Sequence, residues 1–218
     1  MNVFVIIPGY NEEKHIASVI EKTKAYSRNI VVVDDGSKDR THDEAEKAGV
    51  VVLRHAINLG KGAALKTGTR YAIMNGADAV IYLDSDGQHS PADIPRLVSE
   101  LKGVDVVFTK RNLRSGSMPL TKKFGNYVLN TLMKILFRIE LADTQCGYKI
   151  LTRQAYEKLH LISSDYNIES EIAAKTGKYR LKFKQVPIET VYNDKYKGTT
   201  VLDGIGIATR MLWWKISR

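Results

Sequence analysis

The chain has 218 residues, 44% of them hydrophobic and 26% charged, enough for a sizeable core and unlike a disordered or membrane-spanning chain. A net charge of +9 draws nucleic acid, anionic lipid or phosphorylated ligands alike, but the Lys and Arg residues are scattered and no nucleic-acid-binding signature accompanies them, so nucleic acid is set aside. The single cysteine, Cys146, excludes an intrachain disulfide and lacks partners at zinc spacing; with a strand-like start that shows no basic n-region, it fits a reducing cytoplasm.

Residues 3–7, 30–35, 50–55 and 79–84 are short, apolar, β-branched runs. Between them, residues 12–26 place Ile16, Val19 and Ile20 on one face, and residues 61–74 do the same with Ala64, Leu65 and Ala72, which predicts helices. Strands apolar on both faces and alternating with helices predict a parallel sheet covered on both sides. Right-handed crossovers then bring the strand ends to one edge, where such sheets bind ligands. PGYNE, DDGSKD and DSDGQ all follow strand ends. Beyond residues 106–108, Phe124, Val128, Leu132, Ile135 and Ile139 recur at helical spacing, interrupted by Asn130, Lys134 and Arg138, too polar a segment to span a bilayer. A loop at 143–149, helices near 154–159 and 168–175, a strand-like 180–188 and a polar loop follow. One domain over 1–200, with a C-terminal helix over 201–218, is the expected organisation.

Residues i and i+2 on an extended strand end point the same way. Asp84 and Asp86 are thus expected to lie side by side, with Gln88 near them once the chain turns at Gly87. Like charges so close raise one pKa unless a cation sits between them, and hard oxygen donors suit Mg2+ or Mn2+ while leaving room for substrate phosphates. Helix capping is the competing explanation, but Ser90 before Pro91 serves that purpose without the aspartates. Asp34 and Asp35 form either a strand-to-helix turn or acceptors for a nucleobase or ribose; Asp39 and Thr41 read as capping. Gly60 and Gly62 flank Lys61 at a helix start, where N–H groups and a cation suit phosphate. Neither GxxxxGK[ST] nor GxGxxG is present, which argues against a P-loop NTPase or a dehydrogenase.

IIPGYNEE, VVVDDGSKDRT, NLGKGAAL, YLDSDGQHSP and DTQCGYKILTR, in this order and spacing, resemble the family-2 glycosyltransferases over nearly the whole chain, above all the polyprenyl-phosphate sugar synthases that make dolichyl-phosphate mannose and glucose. The resemblance implies an α/β glycosyltransferase A fold: a Rossmann-like, mostly parallel sheet with helices on both faces and a C-terminal helical elaboration. It implies a nucleoside diphosphate sugar donor (UDP-glucose or GDP-mannose), Mg2+ or Mn2+, a dolichyl or polyprenyl phosphate acceptor, and inversion at the anomeric carbon. Pro8, Tyr10 and Glu12 match nucleotide contacts, Asp34 and Asp35 lie near the base, and Asp84, Asp86 and Gln88 match the metal and diphosphate site. Lys61 is placed on the nucleotide-sugar side. Arg111 corresponds to an arginine facing the reacting phosphates. Lys195, with Lys197, stands where the family has an arginine on the diphosphate, so Asp86, Arg111 and Lys195 are the expected catalytic residues. Lys122 and Lys123, beside Thr121, are the counterparts of the acceptor-phosphate group.

A polyprenyl phosphate is mostly a dianion at neutral pH and needs no base, so Asp143 is expected to orient a neighbouring loop or lysine instead of removing a proton. In the C-terminal segment Ile205, Ala208, Leu212 and Ile216 share a face near Trp213 and Trp214, with Arg210, Lys215 and Arg218 alongside. That pattern suits peripheral attachment at the cytoplasmic membrane surface, or a helix packed on the domain. Transfer to a sugar or protein hydroxyl is the alternative enzyme reading, and a basic binding module without catalysis the alternative of another class.

Overall fold

The computed structural model describes residues 1–111, 120–190 and 201–216. Lys195, Lys197 and Arg218, and the side chains of Thr121, Lys122, Lys123, Ile205 and Ala208, lie outside the described residues. The elements are β1 (Val3–Gly9), α1 (Ile16–Lys24), β2 (Ile30–Asp34), α2 (Thr41–Lys47), β3 (Val51–Arg54), α3 (Lys61–Met74), β4 (Ala79–Tyr82), α4 (Ile94–Glu100), β5 (Val106–Arg111), α5 (Leu120–Phe137), β6 (Lys149–Thr152), α6 (Arg153–Leu159), α7 (Ile168–Lys178), β7 (Phe183–Ile188) and α8 (Val201–Ile216).

The strands form one seven-stranded sheet in the order β3-β2-β1-β4-β6-β5-β7. All run the same way except β6, which is antiparallel to β4 and β5. Successive residues of β1 serve opposite faces: Phe4 and Ile6 join the core under α3, α5, α7 and α8, whereas Val5 and Ile7 join that under α1, α2 and α4. This two-sided burial is why the strands read as apolar runs. The two edge strands are the exceptions, with Val51 and Arg54 exposed on β3 and Lys184 and Pro187 exposed on β7. The sequence predicts a loop over 143–149 and no strand directly after it; β6 is the correction. Its four residues begin with a lysine, and so short a run carries no periodic signal.

The C-terminal helix packs on α5 and α7. Met211 and Trp214 are buried in the core, while Leu212, Trp213 and Ile216 stay exposed. The two adjacent tryptophans therefore face opposite environments. Trp214→Ala is expected to cost about 3–5 kcal/mol, as large aromatic truncations in cores do, measurable by urea denaturation.

Candidate active site

The strand order reverses at β1, which pairs with β2 on one side and β4 on the other. The loops leaving β1, β2 and β4 meet at the rim beyond that point, where an open α/β sheet binds ligands. The loops after β1 and β2 are bonded to each other. Asn11, at φ 55°, donates its N–H to Ser37 Oγ, and its own Oδ1 accepts from the Lys38 N–H. The Glu12 N–H donates to Thr41 Oγ1 at 2.7 Å. Asp39 accepts from Thr41 and from the Glu13 N–H; the N-cap position of α2 itself is Arg40. Pro8, near the end of β1, is buried, while Tyr10 is exposed and Glu12 half-buried on the braced loop that follows.

Both carboxylates expected near the base are bonded within the protein. Asp34 takes the Ser37 N–H at 3.0 Å and pairs with Arg54 Nε at 3.0 Å. Asp35 accepts from the Leu59 and Gly60 N–H groups, and its Oδ1 lies 2.7 Å from His55 Nδ1. They tie β2 to the segment that enters α3.

That entry departs from the open phosphate cradle expected of it. A Cβ on Gly60 would meet the Ser164 carbonyl oxygen, and one on Gly62 would meet that of Ser163 at 2.6 Å. The first turn of α3 is thus covered by the 163–165 loop, whose Ser164 carbonyl accepts the Ala63 N–H. The glycines serve close packing here. Lys61 points instead to two carboxylates, Asp84 Oδ1 at 2.6 Å and Glu169 Oε1 at 2.9 Å. These partners outweigh burial and raise its pKa above the ordinary lysine value.

Strand β4 stops at Tyr82, so Asp84 and Asp86 lie beyond it and Asp86 belongs to the turn; the strict i, i+2 strand geometry does not hold. They remain electrostatic neighbours. Burial first, and Asp84 second, raises the Asp86 carboxyl. Burial also works to raise Asp84, but Lys61, with His89 and Lys149 behind it, holds that carboxyl below its usual range. Gln88 gives its backbone N–H to Asp86 Oδ1 at 3.0 Å. His89, packed on Tyr148 with ring centroids 5.6 Å apart, is kept toward its neutral form by burial, against the pull of Asp84 and Asp86.

A hard divalent cation fits this donor set. Asp86 carries a charge that the fold disfavours, and no described side chain forms an ion pair with it. Among the described residues no group of three or more His, Cys, Asp or Glu side chains could hold a metal. An ion here would thus draw few protein ligands and complete its shell with phosphate oxygens and water, as Mg2+ commonly does.

Arg111, at the end of β5, forms a two-pronged pair with Asp143: Nε to Oδ2 at 2.7 Å and a terminal nitrogen to Oδ1 at 3.1 Å. Asp143 is buried, and the group it pairs with is an arginine where a loop or a lysine was expected. Cys146 lies beside this pair, its thiol pushed up to about 11 by burial.

Glu169, Lys149 and Gly147 were missed by sequence reasoning. An acidic residue in the first turn of a helix ordinarily serves the helix dipole, and nothing local shows that Glu169 is buried against Lys61. A Cβ on Gly147 would strike Asp84 Oδ2 and approach Lys61 Nζ to 2.7 Å. Gly147→Ala is therefore expected to displace Asp84 and to destabilise the fold by about 1–3 kcal/mol, the range for overpacking, measurable by urea denaturation.

The sequence model of glycosyl transferase family 2 matches residues 4–160. The chain is 32% identical over 243 residues to a UDP-N-acetylglucosamine–dolichyl-phosphate N-acetylglucosaminyltransferase of Methanococcus voltae, covering 99% of this chain and 97% of that protein. It is 27% identical over 227 residues to the undecaprenyl-phosphate mannosyltransferase of Micrococcus luteus, covering 96% and 93%. Among solved structures, glucosyl-3-phosphoglycerate synthase from Mycobacterium tuberculosis, in complex with Mn2+ and UDP-glucose, aligns with a TM-score of 0.73 at 23% identity, covering 99% of this chain and 78% of that one.

Proposed function

The chain belongs to glycosyl transferase family 2, and on that footing we propose that it moves a hexose, plain or 2-acetamido, from a nucleoside diphosphate sugar to the phosphate of a dolichyl or other polyprenyl lipid. Its architecture is the glycosyltransferase A fold that the motifs implied. The names of the Methanococcus and Micrococcus relatives, both specifying lipid phosphates, support the acceptor class.

The observation that carries the acceptor chemistry is the Arg111–Asp143 pair. A hydroxyl acceptor needs a free base, and the carboxylate nearest to that role is bound on both oxygens to a guanidinium. A phosphate dianion needs no base, but it needs cations against the repulsion of the donor diphosphate. Arg111, held at a fixed angle, supplies one; Lys122 and Lys123 on α5 are the proposed others, and Lys195 and Lys197 the proposed contacts of the leaving diphosphate. Asp86 and the free oxygen of Asp84 would hold Mg2+ or Mn2+, which when bound supplies further charge neutralisation for the leaving group. Pro8, Tyr10 and Glu12 would line the nucleotide.

A donor panel tests this reading. UDP-glucose, UDP-N-acetylglucosamine and GDP-mannose are offered with dolichyl phosphate and Mn2+, and release of the nucleoside diphosphate is followed. One donor is expected to be turned over, only with the lipid phosphate present and not in excess EDTA. Release from none of them, or full release in EDTA, would overturn it.

Peripheral attachment at the cytoplasmic membrane face belongs to the same proposal. Among the described residues no helix is long and apolar enough to cross a membrane. Leu212, Trp213 and Ile216 on α8 are 55, 52 and 81% exposed, and Ile135 on α5 is 69% exposed, the residue types that enter a headgroup boundary. Replacing Trp213 and Ile216 together by serine is expected to weaken co-sedimentation with anionic liposomes at least about tenfold, given the apolar area withdrawn. Unchanged sedimentation would contradict attachment through this helix.

A further inference from the structure

Beneath Asp84 the charges alternate inward. Lys61 Nζ bridges Asp84 and Glu169, and the second oxygen of Glu169 meets Lys149 Nζ. Glu169, on α7, is almost wholly buried, and Lys149, on β6, is fully buried with its ammonium 5.9 Å from the centre of the Phe108 ring. Removing ions from water is expensive, and a buried pair often contributes no more stability than apolar residues of the same volume. Stability alone is therefore a poor reason for this ladder. Asp84, Asp86 and Glu169 bring three negative charges and Lys61 and Lys149 two positive ones, so one negative charge is left over. It resides at the solvent end, on Asp86.

We propose that Glu169 and Lys149 are positioning residues that set the charge of the Asp84–Asp86 site, and through it the affinity for a divalent cation, without touching the ion or the substrate. This rests on the metal reading above. Through Lys61 the ladder fixes Asp84 Oδ1 and leaves its other oxygen for a ligand. The inner pair is joined to the rim through one side chain, Lys61, which touches Glu169 on one side and Asp84 on the other. Without Glu169, two ammonium groups would stand behind Asp84 with no buried anion between them, and a cation would be repelled. Without Lys149, Glu169 would add its own negative charge and a cation would be bound more tightly. Charges in a poorly screened interior act at such range.

The test is a titration of Mn2+ into the full chain, with UDP present, read by the loss of the free-ion electron paramagnetic resonance signal; no sugar transfer is involved. Glu169→Gln is expected to weaken Mn2+ binding by about tenfold or more and Lys149→Met to strengthen it, since each removes one full charge a few ångströms from the site. The double variant, which removes the pair together, is expected to return to within roughly threefold of wild type. Both single variants should melt below wild type. Opposite shifts in affinity alongside same-signed losses of stability are what a purely structural pair cannot give. Should Glu169→Gln not fold, tighter binding by Lys149→Met decides alone, because a disturbed site would only bind more weakly; should Lys149→Met not fold, recovery of affinity in the double variant over Glu169→Gln decides. Equal affinities in wild type and variants, or shifts in one direction for both, would overturn this inference. Failure of the wild type itself to bind Mn2+ would overturn the metal reading and the inference with it.

Discussion

Asp86→Ala is expected to lower sugar transfer by about a thousandfold or more, on the scale of losing a principal charge-stabilising group, while the protein remains folded. The reason is that Asp86 is there at the expense of stability. Burial and the neighbouring Asp84 raise its carboxyl pKa, so the fold disfavours the ionised form. The sign follows by linkage: the penalty is absent below the ordinary carboxylate range, grows as pH rises toward the raised value, and is fully present at neutral pH. In metal-free protein Asp86→Asn should therefore melt no lower than wild type at pH 7, with any advantage vanishing near pH ~3, where the carboxyl is protonated in both states. Loss of activity together with loss of fold would mean that Asp86 is structural.

Arg111→Ala is expected to lower transfer by about 100-fold or more and Asp143→Asn by about 10- to 100-fold, with the double variant close to Arg111→Ala alone. Residues acting as a unit are non-additive, and here both prongs of Arg111 end on Asp143. Asp143→Asn also removes the carboxylate charge from the two-pronged contact with Arg111, which should lower the melting temperature. The pH profile separates orientation from proton removal. If Asp143 only positions Arg111, the Asn variant keeps the wild-type profile at reduced height. An acidic limb missing from the residual rate of a folded Asn variant would make it the base.

The rim itself was legible in the sequence because strand periodicity and right-handed connection are local rules with a global consequence: the ends of β1, β2 and β4 had to converge. The inner half of the site was not. Lys149 begins a four-residue strand and looks like a surface residue until Glu169, 20 positions on, is folded against it. Asp34 and Asp35 are acidic residues after a strand whichever way they point, and only the fold shows their oxygens taken by Ser37, Leu59, Gly60 and Arg54. The glycines around Lys61 carry the composition of a phosphate loop, yet the 163–165 backbone occupies the space beside them. Trp213 and Trp214 differ by one position and by opposite sides of α8, a distinction set by where α5 and α7 lie.

The central claim is that the acceptor nucleophile is a lipid phosphate, and the most direct measurement compares polyprenyl phosphate with the corresponding free polyprenol, using the donor selected from the panel and Mn2+. The expected result is transfer to the phosphate across neutral pH, where the dianion predominates, and none above background to the alcohol. Efficient transfer to the free polyprenol, with the phosphate giving no advantage, would contradict it.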